Sequence, residues 1–387
     1  MERVRVLHQQ LYNSALQERR DAYRLNKISI SYSQQCKSVT QIRREHPEYN
    51  AINAQSLQVT LKRLDMAFDA FFTRVKRGEN PGYPRFKNKK RFTGWGYKTH
   101  GDGFKFIPGQ NLEHGILKLS GIGEIVVRGK ARTPGKIIGA DITKKSDGWY
   151  LSLIVECEPH RERTKDKIAG LDWGVETFAT LCYGPYKFDA VANDRIYEQE
   201  QEQLKVEQRL LSKSLRGNRT SKAEKQRKLL AKRWRKVSNR RKDRNHKTSA
   251  ELVKTHAIIV TEDLSIKNMT ASAKGTVEEP GKRVKQKAGL NRSILDTTPG
   301  SWLFTLRYKA EEADTQLILI DPRKYKPSQT DPVSGEVRRK MLSEREHTLP
   351  DGTVITRDQA AAWVLWNIGQ ELSFVNRETP SIAALAA

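Results

Sequence analysis

Three short apolar runs constrain the fold more than any other feature of the chain. IAGLDWGVETFATL (168–181) has the make-up of a buried strand. HAIIVTEDL (256–264) is a continuous apolar run ending in two carboxylates, and QLILIDP (316–322) is a third. Runs of this length, stopped by acids or turn residues and separated by helix-like segments, read as interior strands of an α/β sheet. The first one poses a problem. Asp172 lies just inside its start, and a lone buried charge is costly unless it is paired or bound to a metal. Either Asp172 closes the strand at the surface, or something cationic stands beside it.

The rest of the chain changes period several times. Residues 1–78 read as helices, with Leu7, Leu11, Ala15 and Tyr23 and then Leu57, Leu64, Phe68 and Phe72 at helical spacing. GENPGYPRFKNKKRFTGWGYK (78–98) breaks helix with Gly and Pro and interleaves basic with aromatic residues, which suits phosphates and stacked bases. Arg85 and Lys87 are its candidate contacts. From Phe104 to Glu158, short alternating segments punctuated by glycine predict a β-meander or small barrel. HRERTKDK (160–167) reads as a linker, and CYGPYKFDAVAND (182–194) as a hairpin return. About Arg195 to Lys254 is a long helical stretch broken at SLRGNRTS, an antiparallel helical hairpin. GTVEEPGKRVKQKAGLNRS (275–293) reads as a polar, mobile segment, SWLFTLRYKAEEA (301–313) as an amphipathic helix, and 323–357 as turn-rich. RDQAAAWVLWNIGQEL (357–372) closes as a helix before a loose tail.

Charge narrows the partner. Lys+Arg number 71 against 45 Asp+Glu, a formal +26. The excess is concentrated: residues 201–247 hold 18 Lys/Arg and 4 Asp/Glu, a net +14. An excess this large and this localised points to a polyanion, most often nucleic acid. Arg240, Arg241, Arg244 and Lys247 are the candidate phosphate contacts, against the plainer reading of a solvated face. No run of about 18 apolar residues and no signal-peptide core is present, which predicts a soluble, intracellular protein with no membrane partner. Three scattered cysteines offer neither a disulfide framework nor a metal-ligand spacing.

Three carboxylates stand in comparable places: Asp172 on the first strand, Glu262 at the end of the second, and Asp358 opening the last helix. Each has a plain reading as a strand-end or helix-start acid. Together they can converge at one edge of a sheet. Three hard oxygen ligands without His or Cys favour Mg²⁺ or Mn²⁺ over zinc. Two such ions about 4 Å apart would activate water and stabilise the leaving oxygen of a phosphodiester.

GLDWGV, IIVTEDL and RDQAAAWVLWN resemble the three RuvC-type motifs of the TnpB (OrfB) family, transposon-encoded RNA-guided DNA endonucleases ancestral to compact type V CRISPR effectors. Further runs agree over nearly the whole chain: AFDAFFTRVKRGENPGYPRFK, NRRKDRNHKTSAELV, GLNRSILD and YKAEEA. The resemblance implies an RNase H-like α/β nuclease with a helical recognition lobe (1–100), a β wedge domain (101–163) and a RuvC domain carrying the basic hairpin (164–322). A target-nucleic-acid-binding insert (323–357), the final RuvC helix (358–376) and a tail (377–387) complete it. It assigns Asp172, Glu262 and Asp358 as the catalytic, Mg²⁺-binding trio, and a guide RNA and target double-stranded DNA as partners of a monomeric ribonucleoprotein in a prokaryotic cytoplasm, at the nucleoid. It also assigns Tyr32, Cys36 and Gln55 to reading the bases flanking the target, and Asn13, close by, is a further candidate.

Two departures from the family pattern matter. Met1 stands almost directly on the first helix, without the wedge strand that usually precedes it, so the barrel is expected to be incomplete or the chain to start downstream of the family's usual start. In the insert, Asp331, Ser334, Leu349 and Asp351 stand near the positions of two Cys-x-x-Cys pairs. Structural zinc needs four good N or S ligands, and Asp331, Ser334, Asp351 and His347 are a poor substitute, so no zinc is expected. The insert must then be held by packing of Tyr325, Val333, Val337, Leu342 and Leu349, or by its glycine turns. The ligand position survives in Thr356-Arg357-Asp358. Two other functions compete: an RNA-guided DNA binder with weak or no cleavage, and a strand-transferring transposase, whose acids typically run Asp-Asp-Glu rather than Asp-Glu-Asp.

Overall fold

The computed structural model describes residues 1–110, 113–130, 134–158, 166–217, 220–276, 278–341 and 343–378, and divides into two compact units, Met1–Glu158 and Pro159–Ala387. The proposed linker at 160–167 and the tail fall largely outside the described residues, as does part of the SLRGNRTS break.

The first unit opens with three helices, α1 (Glu2–Asn26), α2 (Tyr32–Glu45) and α3 (Ala54–Lys76). The periodic residues bury as expected: Leu7, Leu11, Tyr12 and Leu16 pack against Leu57, Leu61, Leu64 and Phe68. Two positions depart from that pattern, because Tyr23 and Phe72 are exposed. Ser31 and Gln34 cap α2 reciprocally, satisfying two backbone N–H groups that would otherwise lack partners. The basic-aromatic stretch is irregular through residue 93 but pinned. Arg5 donates to the carbonyls of Lys89 and Phe92, and Gln9 donates to that of Lys87.

Six strands follow: β1 (Gly94–Tyr97), β2 (Phe104–Pro108), β3 (Glu113–Leu119), β4 (Gly123–Lys130), β5 (Lys136–Lys145) and β6 (Gly148–Glu156). They form two antiparallel sheets of three, β1-β5-β6 and β2-β3-β4, around Trp95, Tyr97, Phe104, Phe106, Leu117 and Ile142. β1 lies in the segment read from sequence as helical lobe. Gly94 is what admits it, since a Cβ there would meet the Ile142 carbonyl oxygen at 1.9 Å.

The second unit is built on one five-stranded sheet of order β11-β10-β7-β8-β9. Its strands are β7 (Ile168–Trp173), β8 (Thr177–Gly184), β9 (Lys187–Ala192), β10 (Ile258–Glu262) and β11 (Gln316–Ile320). β10 runs parallel to β7 and β11, while β7-β8-β9 is an antiparallel meander. Helices α4 (Ile196–Arg216) and α5 (Thr220–Thr255) form the expected hairpin. Arg233 bridges Glu200 and Glu207, and Arg240 donates to Gln199, an antiparallel register. α6 (Ile266–Met269), α7 (Val284–Thr297) and α8 (Pro299–Glu312) lead to β11. The helix α7 corrects the reading of 275–293 as a mobile segment. Its end is tied to α4, because the Asp296 carboxylate accepts from the Tyr197 N–H at 2.9 Å.

The insert comprises α9 (Pro322–Tyr325), a 3-10 turn at Pro327–Gln329 and the hairpin β12 (Glu346–Thr348)–β13 (Val354–Thr356), which runs straight into α10 (Arg357–Glu378). Leu349 and Ile355 pack with Ala360, Ala362 and Trp363 of α10. Val333 and Val337, expected to help, are each 54% exposed. Leu342 lies outside the described residues.

α10 and α8 cover opposite faces of the sheet. Val260 and Ile320 meet Val364, Leu365 and Ile368, whereas Ala169, Leu171, Phe178 and Ile259 meet Leu252, Trp302 and Leu306. Both central strands are thus apolar on each side, which is why they lack a two-residue alternation. Among the described residues no helix is long and apolar enough to cross a membrane.

Candidate active site

The last register pair between the parallel strands is Leu171 with Thr261. Asp172 and Glu262 each come one residue later, so their side chains leave the same face of adjacent strands at their carboxyl ends. That face is the one covered by α10. A Cβ at Gly170, two residues before Asp172, would stand 2.0 Å from the Ala362 carbonyl oxygen and 2.3 Å from the Trp366 N–H. Alternation therefore points Asp172 toward α10 as well.

Two glycines of GLDWG set the approach. Gly170 lets the helix backbone lie directly on β7. Gly174 sits in the β7–β8 turn, where a Cβ would be 3.8 Å from Asp358 Oδ2 and 2.6 Å from the Thr177 carbonyl oxygen. Asp358 itself is held by a local device. Thr356 Oγ1 accepts from the Gln359 N–H at 3.1 Å, and Gln359 Oε1 accepts from the Thr356 N–H at 2.8 Å. Such a reciprocal cap fixes the first helical turn and is worth about 1 kcal/mol. The sequence reading missed both glycines, Arg357 and this cap. The TRDQ spacing carries the signal of a Thr-x-x-Gln box; the glycines become legible only once a helix is known to lie on them.

The electrostatics match the geometry. Asp172 keeps partial access to solvent but is hemmed in by protein. Desolvation first, and then the charges of Glu262 and Asp358, push its pKa well above the usual carboxylate range, with Arg357 opposing. Glu262 is also raised, by burial. A carboxylate repelled by two others at the edge of a sheet is a poor structural choice and a good place for a cation. The donor set, oxygens only, fits a hard divalent ion. In this structure the three acids do not close into a coordination shell: among the described residues no three His, Cys, Asp or Glu side chains are gathered closely enough to hold a metal.

The other expected site residues divide. Lys247 is exposed and pairs along its own helix with Asp243 at 2.8 Å; Arg240 is part-exposed and donates to Gln199. Both could meet phosphates. Arg241 and Arg244 could not do so freely. Arg241 is bound to the Asp296 carboxylate. Arg244 is buried, lies 4.2 Å from the Phe178 ring centroid and donates to the Thr297 carbonyl, and desolvation lowers its pKa. These two arginines hold α5 to the end of α7, a correction to their placement at the nucleic-acid face.

In the first unit, Arg85 is exposed beside Tyr83 and Phe86 in a cleft that also includes Arg20. Lys87 instead lies half-buried, its ammonium 4.5 Å from the Tyr12 ring centroid. Asn13 is spent on the same loop, since its amide donates to the Lys87 carbonyl and accepts from the Lys87 N–H. Tyr32 and Cys36 are half-buried against the helical core, and burial with Cys36 alongside pushes the Tyr32 hydroxyl up to about 12. Cys36 also lines a cleft of about 390 Å³ with Arg43, Arg44 and Gln58. The Gln55 side-chain oxygen is buried with no hydrogen-bond partner among the described residues. The structure thus brings Tyr32, Cys36 and Gln55 onto α2 and α3, and turns Asn13 to the loop.

At the insert, Asp331 accepts from the Val333 N–H (2.9 Å), the Ser334 N–H (2.7 Å), the Ser334 hydroxyl (3.0 Å) and His347 Nε2 (2.7 Å). Lys340 closes on the other ring nitrogen of His347.

Comparison with known proteins agrees with the motifs. Residues 152–273 match the OrfB_IS605 family, described as "Probable transposase". The chain is 30% identical over 272 residues to "Putative RNA-guided DNA endonuclease InsQ" of Escherichia coli (strain K12), covering 70% of this chain and 63% of that protein, so it spans less than two thirds of that relative. It is 27% identical over 359 residues to a "Putative RNA-guided DNA endonuclease" of Streptomyces pristinaespiralis, covering 91% and 81%. Among solved structures, the cryo-EM structure of the Cas12f1-sgRNA-target DNA complex matches with a TM-score of 0.60 at 11% identity, over 95% of this chain and 82% of that one. That likeness shows the fold. The resemblance to the OrfB family read from the motifs holds.

Proposed function

We propose that this OrfB-type chain is an RNA-guided DNA endonuclease whose catalytic centre is the carboxylate edge of the five-stranded sheet. The observation that carries the reading is that Asp172 and Glu262 leave the same face of adjacent strands beside the start of α10, which carries Asp358, and that burial first and then the charges of the other two acids raise the pKa of Asp172. A desolvated carboxylate set beside two other acids suits a site for positive charge.

Asp172, Glu262 and Asp358 would hold Mg²⁺ or Mn²⁺, which when bound activates water and stabilises the leaving oxygen of a phosphodiester. The chain's own residues do the rest. Gly170 and Gly174 set the height of α10 over β7, and the Thr356–Gln359 cap fixes the direction of Asp358. Arg357 offsets part of the negative charge before an ion arrives. The surplus of positive charge on α4 and α5, with Arg240 and Lys247 on the accessible side, suits a polyanionic guide, while guide–target pairing reads sequence and the protein reads backbone and a short flank. In this reading the first unit supplies the recognition helices, with Tyr32, Cys36 and Gln55 as flank readers, and the wedge sheets. The insert is the target-strand-loading element, and the working form is a cytoplasmic ribonucleoprotein monomer.

The test is Asp172→Ala in the purified ribonucleoprotein. Cleavage of guide-matched DNA should disappear while guide-dependent DNA binding persists. Cleavage at a comparable rate would overturn the assignment.

A further inference from the structure

One cleft of about 460 Å³ lies beside the carboxylate edge, and no catalytic role accounts for it. Val175 and Glu176, in the turn that follows Asp172 and Gly174, form one wall; α4 and α7 form the others. Asn193 locks the cleft to that turn by donating to the Val175 carbonyl. At the start of α4, Arg195 holds a left-handed backbone (φ 43°), a strained conformation for a residue with a side chain.

The floor is anomalous. Gly289 lies in the interior of α7, where glycine costs about 0.5–1 kcal/mol relative to alanine. Its backbone has no need of glycine, for its φ is not in the left-handed range, and a Cβ there would meet nothing within 4 Å. Nothing in the chain's own packing or conformation calls for a glycine at this point. It lies in the cleft wall, with open space where a side chain would begin.

The lining chemistry is also specific. Its acids are already matched: Glu198 pairs with Arg195 at 3.5 Å, Glu176 reaches Arg345 at 3.9 Å, and Asp296 is bound to Arg241. Arg292, exposed one turn after Gly289, faces the cleft and has no carboxylate partner among the described residues. Beside it stand neutral donors and acceptors, Asn193, Gln201 and Ser293. The Tyr197 ring already stacks on Trp234 at 5.7 Å, so recognition would come through hydrogen bonds at a base edge rather than through new stacking.

We infer that this cleft is a subsite for one unpaired nucleotide of the DNA strand being cut, with Arg292 on its phosphate and Asn193, Gln201 and Ser293 on its base. A cation without a carboxylate partner among the described residues, set beside amides and a hydroxyl, suits a nucleoside monophosphate unit better than a bare anion, and the volume is that of a small-molecule site rather than a duplex groove. The subsite deepens the endonuclease reading and rests on it. GLNRSILD, which the catalytic trio leaves unexplained, then has a role: its glycine leaves open space in the cleft wall, its arginine and serine line it, and its aspartate ties the cleft to α4.

The test uses the full guided complex with Gly289→Leu, which should fill the cleft, and Gly289→Ala as a folding control expected to unfold at the same temperature or higher. Single-turnover cleavage is measured on target DNAs carrying one abasic site at each position around the cut. In the unsubstituted complex one position should slow cutting about tenfold, and Gly289→Leu should slow cutting of intact DNA by a similar factor and be indifferent to that abasic site. Equal rates for Gly289→Leu on intact DNA, or the same abasic profile in both proteins, would overturn the subsite. A second readout is independent of cutting: fluorescence anisotropy with a fluorescein-labelled mixed-sequence single-stranded DNA should show weaker binding by Gly289→Leu and by Arg292→Ala. If the unsubstituted complex fails to cut guide-matched DNA, the endonuclease reading fails; if it cuts and both substitutions bind and cut normally, only the subsite does.

Discussion

Asp172 and Asp331 are both acids set into the second unit, and they are treated in opposite ways. Asp331 is surrounded by donors: two backbone N–H groups, a hydroxyl and an imidazole. Burial alone would raise its pKa, but those hydrogen bonds win and hold it below the usual range. Asp172 is desolvated and stands among the charges of two other acids instead, and is held above that range. The contrast separates what folds this unit from what it is for. A carboxylate with satisfied lone pairs stabilises the protein that carries it. A carboxylate left among like charges destabilises the empty protein and is explained only by something that binds.

The largest difference expected between the two sites is catalytic. Asp172→Asn should lower Mg²⁺-dependent cutting by about a thousandfold or more, roughly 4 kcal/mol of barrier, while leaving thermal stability equal or higher because a repulsion is removed. A clear drop in the unfolding temperature would mean that Asp172 is structural. Next comes Asp331→Ala, which strands His347 and two N–H groups. It should destabilise the insert by about 1–3 kcal/mol, read as protease sensitivity near residues 331–349. Unchanged sensitivity would demote the hydrogen-bonded cluster.

The two sites should also respond oppositely to pH, measured by thermal unfolding in a chelator of divalent ions. The folded pKa of Asp331 is lowered, so its contribution is present above the ordinary value of 3.8 and is lost as pH falls below it. The folded pKa of Asp172 is raised, so its ionisation begins to oppose folding as pH rises past 3.8 toward the raised value. Against the parent protein, the stability gained by Asp172→Asn should therefore grow from about pH 4 to neutrality. The stability lost in Asp331→Asn should shrink below about pH 4. Parallel trends would erase the distinction. The smallest effect is expected from zinc-specific chelation, which should leave cutting in excess Mg²⁺ unchanged because Asp331 and His347 hold the insert by hydrogen bonds. Loss of activity that only zinc restores would contradict this.

Much of this was legible in the chain. Continuous apolar runs marked β10 and β11 because both of their faces are covered, but the run over 168–181, read as one strand, is two: β7 ends at Trp173 and β8 returns antiparallel from Thr177, which puts Asp172 at a strand end and the sheet edge. Which arginines of the basic hairpin stay accessible was not legible. Arg240, Arg241 and Arg244 look alike in sequence, yet Asp296 lies 55 residues beyond Arg241 and claims it, and Phe178 lies beneath Arg244. Charge density reports how many cations a helix carries, while long-range partners decide which remain available. The helix α7 was missed for a related reason: Lys285, Gln286, Lys287, Asn291 and Arg292 make the segment read as polar, and its anchor to the Tyr197 N–H comes from another element. Gly170 and Gly174 were visible as letters, but their meaning depends on α10 lying across β7.

The central claim is that the carboxylate edge cuts DNA at an address set by RNA, and reprogramming tests it most directly. The ribonucleoprotein would be assembled with its co-purifying RNA after the targeting segment has been rewritten, and supplied with Mg²⁺ and DNAs matching the old or the new segment, each with the native flank. The account predicts cutting that follows the rewritten segment and is absent from Asp358→Asn. Cutting that ignores the rewritten segment, or that persists in Asp358→Asn, would contradict it.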